Sequence, residues 1–231
     1  MTDSDWTSST DPQAMLAFLR DRGPVSERKL CLYACACCRS VWHLLRDERG
    51  REAVRVSERY ADGEATDAHR VAMSSPANVA VSALDAKADE SREQHERRLL
   101  HSGWLTGEDL AGDAAAVLED ARRAARSVAW ATAGGGEYVR QGARVVQRPH
   151  LLRDIFGNPL GPVSFSPVWR TEAVVALARG IYEETAWERM PVLADALEDA
   201  GCADEAVVAH CRGDGQHCKG CWVVDLVLGR V

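Results

Sequence analysis

The residues whose types and spacing could do chemistry are cysteines and histidines near the C-terminal end of the 231-residue chain. They are Cys202, His210, Cys211, His217, Cys218 and Cys221. Zn²⁺ prefers thiolate and imidazole ligands, four of them at the corners of a tetrahedron. In Cys218-Lys219-Gly220-Cys221, the glycine at the third position lets the chain turn so that two thiolates can face one ion. The segment therefore predicts a candidate zinc site.

Three interpretations of these side chains stay open. A packing role carries the most weight, because cysteine outside disulfides is among the most buried residue types. A zinc site comes second, since the segment has one C-x-x-C pair whereas a zinc ribbon has two. A redox role comes third: Cys218 would be the attacking thiolate and Cys221 the resolving thiol. The βαβ pattern that usually surrounds a redox C-x-x-C motif is missing from this sequence.

A second group of cysteines lies near the N-terminal end of the chain, at Cys31, Cys35, Cys37 and Cys38. Three of them follow the apolar stripe of a predicted helix, so we expect those three to face the core and Cys37 to point elsewhere. This pattern favours packing over chemistry. Cys38 joins the predicted set of zinc ligands only if the two ends of the chain lie together.

Residues that start and stop helices divide most of the chain into helical segments. Asp11 and Pro12 are typical of a helix start, Gly23 of its end, and Ser26 of a second start. Thr66 and Thr171 are typical N-caps of later helices. Helices are predicted at about 12–22, 27–46, 51–62, 76–100, 107–133, 172–186, 190–200 and 203–212. Two short helices are predicted as well, one between Thr66 and Pro76 and one at the start of HLLRDIFGNPLGPVSFSPVW. The final CWVVDLVLG is equally compatible with a buried strand and a buried helix.

These elements predict an all-α fold, a compact helical bundle. We expect its N- and C-terminal segments to pack together, with an Ala-rich helical hairpin between them. The default organisation is one domain over residues 1–231. A division into 1–133 and 137–231 is the alternative, because Gly134–Gly136 is too flexible to continue a helix and marks a hinge.

Composition and charge exclude some classes of binding partner and cellular location. The chain is 46% hydrophobic, which excludes disorder, and has a formal net charge of -7 from 28 basic and 35 acidic residues. An acidic protein is not expected to bind nucleic acid or an anionic membrane. No run approaches the roughly 18 to 20 apolar residues of a membrane span. The start, MTDSDWTSSTD, is acidic where a secretory signal is basic and then apolar, so we expect a cytoplasmic protein.

The motifs of common enzyme classes are missing from the sequence. There is no phosphate-binding G-x-x-x-x-G-K-[ST], no strand-linked G-x-G-x-x-G and no G-x-S-x-G elbow. We therefore expect a non-enzymatic interaction or regulatory module whose partner is another protein. A metal- or thiol-dependent enzyme that uses the C-terminal cysteines and histidines is the alternative.

Three stretches resemble a family of uncharacterised bacterial proteins, found in planctomycetes and some actinobacteria. They are DPQAMLAFLRDRGPVSERKLCLYACACCRSVWHLLRDERGREAVRVSERYADG, LLRDIFGNPLGPV and LADALEDAGCADEAVVAHCRGDGQHCKGCWVVDLVLG, about half of the chain. The resemblance implies a helical module, alone or fused to other domains, and no catalytic residue.

The family pattern also bears on the ligands. An apolar residue is usual at the position of Cys218, whereas thiols at Cys202, Cys211 and Cys221 and the histidine at His217 are typical. The resemblance thus implies a zinc site made of Cys202 or Cys211, His217, Cys221 and one N-terminal thiol, such as Cys38 or Cys35.

Overall fold

In a computed structural model of the protein, the structure describes residues 1–40, 42, 48–73 and 148–230. These ranges form helices and no strand, which confirms the predicted all-α class for the described residues. The α-helices are α1 (Asp3–Ser8), α2 (Pro12–Asp21), α3 (Glu27–Ser40), α4 (Glu48–Ala61), α5 (Asp67–Ala72), α6 (Pro149–Phe156), α7 (Glu172–Glu184), α8 (Met190–Asp199), α9 (Glu205–Arg212) and α10 (Trp222–Leu228). The predicted Ala-rich hairpin and the Gly134–Gly136 hinge lie outside the described residues.

The predicted helix starts are confirmed by their hydrogen bonds. The Asp11 carboxylate accepts from the backbone N–H of Gln13 at 2.8 Å, and Pro12 is the first residue of α2. Thr66 and Thr171 cap α5 and α7 through their hydroxyl groups. Each cap supplies an acceptor to a backbone N–H that has no partner inside its helix, so these short polar side chains set where the helices begin.

The chain forms two compact units. The first unit combines Met1–Tyr33 with Gln147–Val231, and the second is Ala34–Val146. The ends of the chain therefore belong to one unit, as the sequence predicts.

Trp6 joins the N-terminal segment to α6 within the first unit. Its side chain is 1% exposed, and its indole N–H donates to the carbonyl of Gly157 at 2.9 Å. The Arg153 guanidinium donates in return to the backbone carbonyl of Trp6 at 2.9 Å. A large buried ring with its polar atom satisfied is a strong anchor, so α1 is held on the end of α6.

An ion pair makes a second connection within the first unit. The guanidinium of Arg28, at the start of α3, donates to both carboxylate oxygens of Asp225 in α10, at 2.6 and 3.1 Å. It also donates to the hydroxyl of Tyr182 at 3.1 Å. The paired geometry satisfies a carboxylate that is 2% exposed, so Asp225 can be buried in its charged form.

The helices after α6 form the apolar core of the first unit. α8 packs against α9, and α7 packs against both α8 and α10. The final CWVVDLVLG segment is a helix, α10, which resolves the ambiguity left by its short apolar run. Buried core residues include Val174, Ile181, Leu193, Leu197, Val207, Val223 and Val227.

The second unit contains the C-terminal part of α3 with α4 and α5. Cys35, Cys37 and Cys38 are each at most 2% exposed there. The expectation that Cys37 points away from the core is therefore wrong, since this part of α3 is buried beyond one stripe. Arg39 forms a two-point ion pair with Glu58 at 2.8 and 2.7 Å, and the hydrogen bond to Glu58 raises the pKa of Arg39.

None of the helices in the described ranges combines the length and apolar character that crossing a membrane requires.

Replacement of Trp6 tests the anchor between α1 and α6. We expect Trp6→Ala to lower the free energy of unfolding by about 3–5 kcal/mol, because it removes a buried ring and leaves a cavity. Val168→Ala is the control, since Val168 is 77% exposed and its loss should cost less than about 0.5 kcal/mol. Urea unfolding measures both values, and equal costs would contradict the anchor role.

Candidate metal centre

The candidate site is built around a buried carboxylate, Asp154, on the inner face of α6. Leu151, Leu152 and Ile155 on the same helix are fully buried, and Asp154 itself is 4% exposed. Burying a charged carboxylate costs several kcal/mol unless other groups compensate it. Asp154 must therefore have strong partners.

Those partners come from α9 and the segment that joins it to α10. Asp154 Oδ1 lies 2.7 Å from His217 Nδ1 and 3.2 Å from His210 Nε2. Asp154 Oδ2 accepts from the backbone N–H of Cys218 at 2.9 Å and from the Cys218 thiol at 3.2 Å. Both oxygens are thus used, and Asp154 links α6 to the C-terminal end of the chain.

Cys221 completes the group of possible ligands. Its Sγ lies 3.3 Å from His210 Nε2 and 3.9 Å from His217 Nδ1. One donor atom from each of Asp154, His210, His217 and Cys221 falls within 4.8 Å of the others. These four residues, hereafter the Asp/His/His/Cys group, could hold a metal ion.

The distances in the group are close to those of a tetrahedral site. Zinc–ligand bonds of about 2.0–2.3 Å place neighbouring ligand atoms of a tetrahedron about 3.3–3.8 Å apart. The contacts of His210 with Asp154 and with Cys221, at 3.2 and 3.3 Å, lie near the lower end of this range. The Asp154–His217 contact, at 2.7 Å, is a hydrogen-bond distance. An ion would therefore need that pair to separate by about 0.6 Å.

A tight turn places Cys221 next to the histidines. The backbone N–H of Cys221 donates to the carbonyl of Cys218 at 3.0 Å, and Gly220 has φ +91°. This backbone angle favours glycine, and α3 approaches closely, since a Cβ at Gly220 would lie 2.9 Å from Leu32 Cδ1. The turn predicted from the C-x-x-C spacing is confirmed, and α3 packs directly on it.

The two histidines keep Asp154 ionised. Burial acts to raise the pKa of this carboxyl, but hydrogen bonds with His210 and His217 and the charges of these rings outweigh it. The pKa of Asp154 is lowered to about 2. A carboxylate that is charged at neutral pH is the form that a cation binds.

The thiols near the group are held in their neutral form, whereas Asp154 is held in its charged form. Burial, followed by the charge of Asp154, raises the pKa of Cys221 well above its usual value. Burial also raises the pKa of Cys211 to about 12. In the absence of a cation both sulfurs are therefore protonated at neutral pH, and neither is an activated nucleophile. A bound cation would reverse this for Cys221, because coordination deprotonates a thiol.

One ring nitrogen of His217 forms no hydrogen bond with the described residues. Its Nδ1 faces Asp154, whereas its buried Nε2 has no hydrogen-bond partner among the residues that the structure describes. Buried polar atoms are nearly always satisfied, by protein, by water or by an ion. The His217 ring therefore has capacity for a partner outside the described protein groups.

The structure brings together part of the ligand set predicted from the sequence. His217 and Cys221 belong to the Asp/His/His/Cys group, and Cys218 supports it through two hydrogen bonds to Asp154. Cys202 and Cys211 are buried in the core of the first unit and are not members of the group. Cys38 is buried in the second unit and is not a member either.

Two members of the group were not among the predicted ligands. His210 lies in the cysteine- and histidine-rich segment, where its spacing alone did not distinguish it from a surface histidine. Asp154 precedes His217 by 63 residues. Its signal was a lone acidic residue on the apolar face of LLRDIF, because a charge at a core position needs a buried partner.

The chain was compared with family models, with curated proteins and with solved structures, and none of the three comparisons finds a match. The fold and site therefore define it only as an all-α protein with a buried group that could hold a metal ion.

Removing the charge of Asp154 tests its role in stability. We expect Asp154→Asn to lower the free energy of unfolding by about 2–4 kcal/mol, because the amide cannot accept hydrogen bonds at both positions. Asp199→Asn, at an exposed position of α8, should change it by less than about 0.5 kcal/mol. Chemical denaturation gives both values. A cost for Asp154→Asn no larger than that of the control would show that the carboxylate does not hold the segment.

Thiol reactivity tests the burial of the cysteines. All eight are buried thiols, and the raised pKa values of Cys211 and Cys221 disfavour their reactive form. We expect the native protein to react slowly with a disulfide reagent at pH 7.5, and eight thiols to react quickly after denaturation. Labelling followed by peptide mass spectrometry assigns each rate. Modification of Cys221 in the native protein as fast as that of a free cysteine would contradict the geometry.

Proposed function

We propose that this protein is a cytoplasmic helical interaction or regulatory module with a structural zinc site. The proposed ligands are Asp154, His210, His217 and Cys221. The observation that carries the proposal is the convergence of four potential donor atoms within 4.8 Å. We also propose that the chain belongs to the bacterial family that its sequence resembles.

The donor set favours zinc among the divalent cations. Two imidazoles, one thiolate and one carboxylate form a mixed nitrogen, sulfur and oxygen set, which is typical of Zn²⁺. Mg²⁺ and Ca²⁺ prefer oxygen ligands in higher coordination numbers. One thiolate with two imidazoles suits a borderline-soft ion that accepts four ligands.

The setting favours a structural ion over a catalytic one. Catalytic zinc sites keep one position open for water or substrate, whereas four protein ligands fill a tetrahedron. Asp154 and Cys221 are buried, and the side chains of His217 and His210 are 6% and 19% exposed. The four ligands come from α6, α9, the loop after α9 and the start of α10. One ion would therefore tie together elements far apart in sequence, and its binding energy would contribute to folding.

The surroundings of Cys218 and Cys221 argue against a thiol enzyme. The Cys218 thiol donates to the Asp154 carboxylate, whose negative charge disfavours a thiolate beside it. Burial raises the pKa of Cys221 as well. A redox or nucleophilic cysteine needs the opposite environment, so we do not propose this activity.

Metal analysis of purified variants tests the proposed ligands. We expect about one zinc ion per chain in the unaltered protein, and loss of zinc in Asp154→Asn, His210→Gln and Cys221→Ser. Matched controls are Asp199→Asn, His150→Gln and Cys202→Ser. Asp199 and His150 are exposed, and Cys202 is a buried thiol outside the group. Inductively coupled plasma mass spectrometry gives the number of zinc ions per chain, and circular dichroism confirms that each variant is folded.

Cobalt substitution adds a readout of the coordination itself. Co²⁺ in the site should give the intense visible bands of a tetrahedral ion and a charge-transfer band from the Cys221 thiolate. Cys221→Ser should lose the charge-transfer band, whereas Cys202→Ser should keep it. A chelator should lower the Tm of the zinc protein by more than about 5 °C.

Two results would overturn the proposal. A zinc content near zero after purification and zinc dialysis would leave the group as a hydrogen-bonded network. Loss of zinc in Cys202→Ser, with full retention in Asp154→Asn, would instead favour the ligand set that the family resemblance implies.

A further inference from the structure

A second site lies in a cleft of the first unit, beside α10. The cleft has a volume of about 210 Å³ and is bounded by the start of α3, the loop after α6, and helices α9 and α10. Its apolar walls include Phe156, Pro159, Pro162, Val163 and Trp222. None of the residues in the Asp/His/His/Cys group lines the cleft.

The charges in the cleft favour an anion. Lys29 and Arg230 line it, together with Asp225, whose carboxylate is paired on both oxygens by Arg28. Within the described part of the chain, no hydrogen bond or ion pair joins Lys29 to a carboxylate, although the charge of Asp225 acts on it. Its ammonium lies 5.8 Å from the centre of the Phe156 ring. Burial lowers the pKa of Lys29. The Asp225 carboxylate is already paired with Arg28, and its attraction does not offset the burial of the Lys29 ammonium, so a bound anion would relieve an electrostatic cost.

The shape and walls of the cleft favour an aromatic ligand. A cavity of about 150 Å³ can hold a benzene molecule, so one of about 210 Å³ has room for a ring and a short substituent. Trp222 is held against the His210 ring, with 5.1 Å between ring centres. Gly157 also lies close to it, since a Cβ at Gly157 would be 3.2 Å from the indole. The indole is thus a fixed wall against which another ring can pack.

We propose that this cleft binds a small monocarboxylate that carries one aromatic ring. The carboxylate pairs with the Lys29 ammonium, and the ring packs against Trp222 and the proline-lined wall. The Lys29 ammonium and the Arg230 guanidinium outnumber the paired Asp225 carboxylate in the lining by one charge, which matches one negative charge on the ligand, and the apolar walls match the rest of such a molecule. This site is independent of the proposed zinc function, because neither Lys29 nor the cleft walls are metal ligands.

Calorimetric titration with phenylacetate and its neutral analogue phenylacetamide tests the site. We expect phenylacetate to bind one-to-one with a Kd below about 1 mM, and phenylacetamide about tenfold more weakly. Lys29→Gln should remove this difference and leave the amide affinity unchanged. Arg179→Gln, an exposed position of α7 outside the cleft, is the charge-matched control and should retain the difference.

A second pair of variants tests the location without changing charge. Ala206 lines the cleft from α9, whereas Ala209 is exposed on the same helix and does not line it. Ala206→Leu should fill the cleft and weaken both compounds at least tenfold, and Ala209→Leu should weaken neither. The proposal fails if phenylacetate shows no saturable binding up to 10 mM (roughly tenfold above the expected Kd). It also fails if the preference for the anion survives Lys29→Gln, or if Ala206→Leu binds both compounds normally.

Discussion

The C-terminal half of the first unit depends on one physical constraint: an ionised carboxylate buried in α6 must be compensated. Asp154 is 4% exposed, and contacts with two imidazoles, one backbone N–H and one thiol fill its two oxygens. A carboxylate left without these partners would cost several kcal/mol, so α6 cannot dock unless the segment from His210 to Cys221 adopts one conformation. The need to pair the Asp154 carboxylate thereby fixes the position of α6 relative to this segment, which apolar packing alone would not specify.

Buried polar groups are also paired where the N-terminal segment joins the rest of the first unit. Asp225 is buried because Arg28 pairs with both of its oxygens, and the Trp6 ring is buried with its N–H satisfied by Gly157. Each connection is directional, unlike packing among Ala, Val and Leu side chains. In a chain with many small apolar residues, such contacts give the helices a specific arrangement.

A site assembled in this way is better suited to stability than to chemistry. Asp154 and Cys221 are buried and the two histidines are partly buried, the nearby thiols are protonated, and the carboxylate is engaged on both oxygens. By contrast, the cleft beside α10 has partly exposed walls and an ammonium available for recognition. Trp222 connects the two sites, since it follows Cys221 in sequence, packs on His210 and lines the cleft.

The sequence by itself determined the local features of this protein. Asp11, Thr66 and Thr171 predicted helix starts because a cap acts within three residues, and Cys218–Cys221 predicted its turn for the same reason. It also identified His217 and Cys221 as candidate ligands from their types and spacing. Only the tertiary structure decided that the short apolar run after Cys221 is a helix and that Asp154 meets His210 and His217. Those outcomes depend on which distant side chains share a buried volume, and the free energy of compensating a buried charge is not encoded in any local pattern.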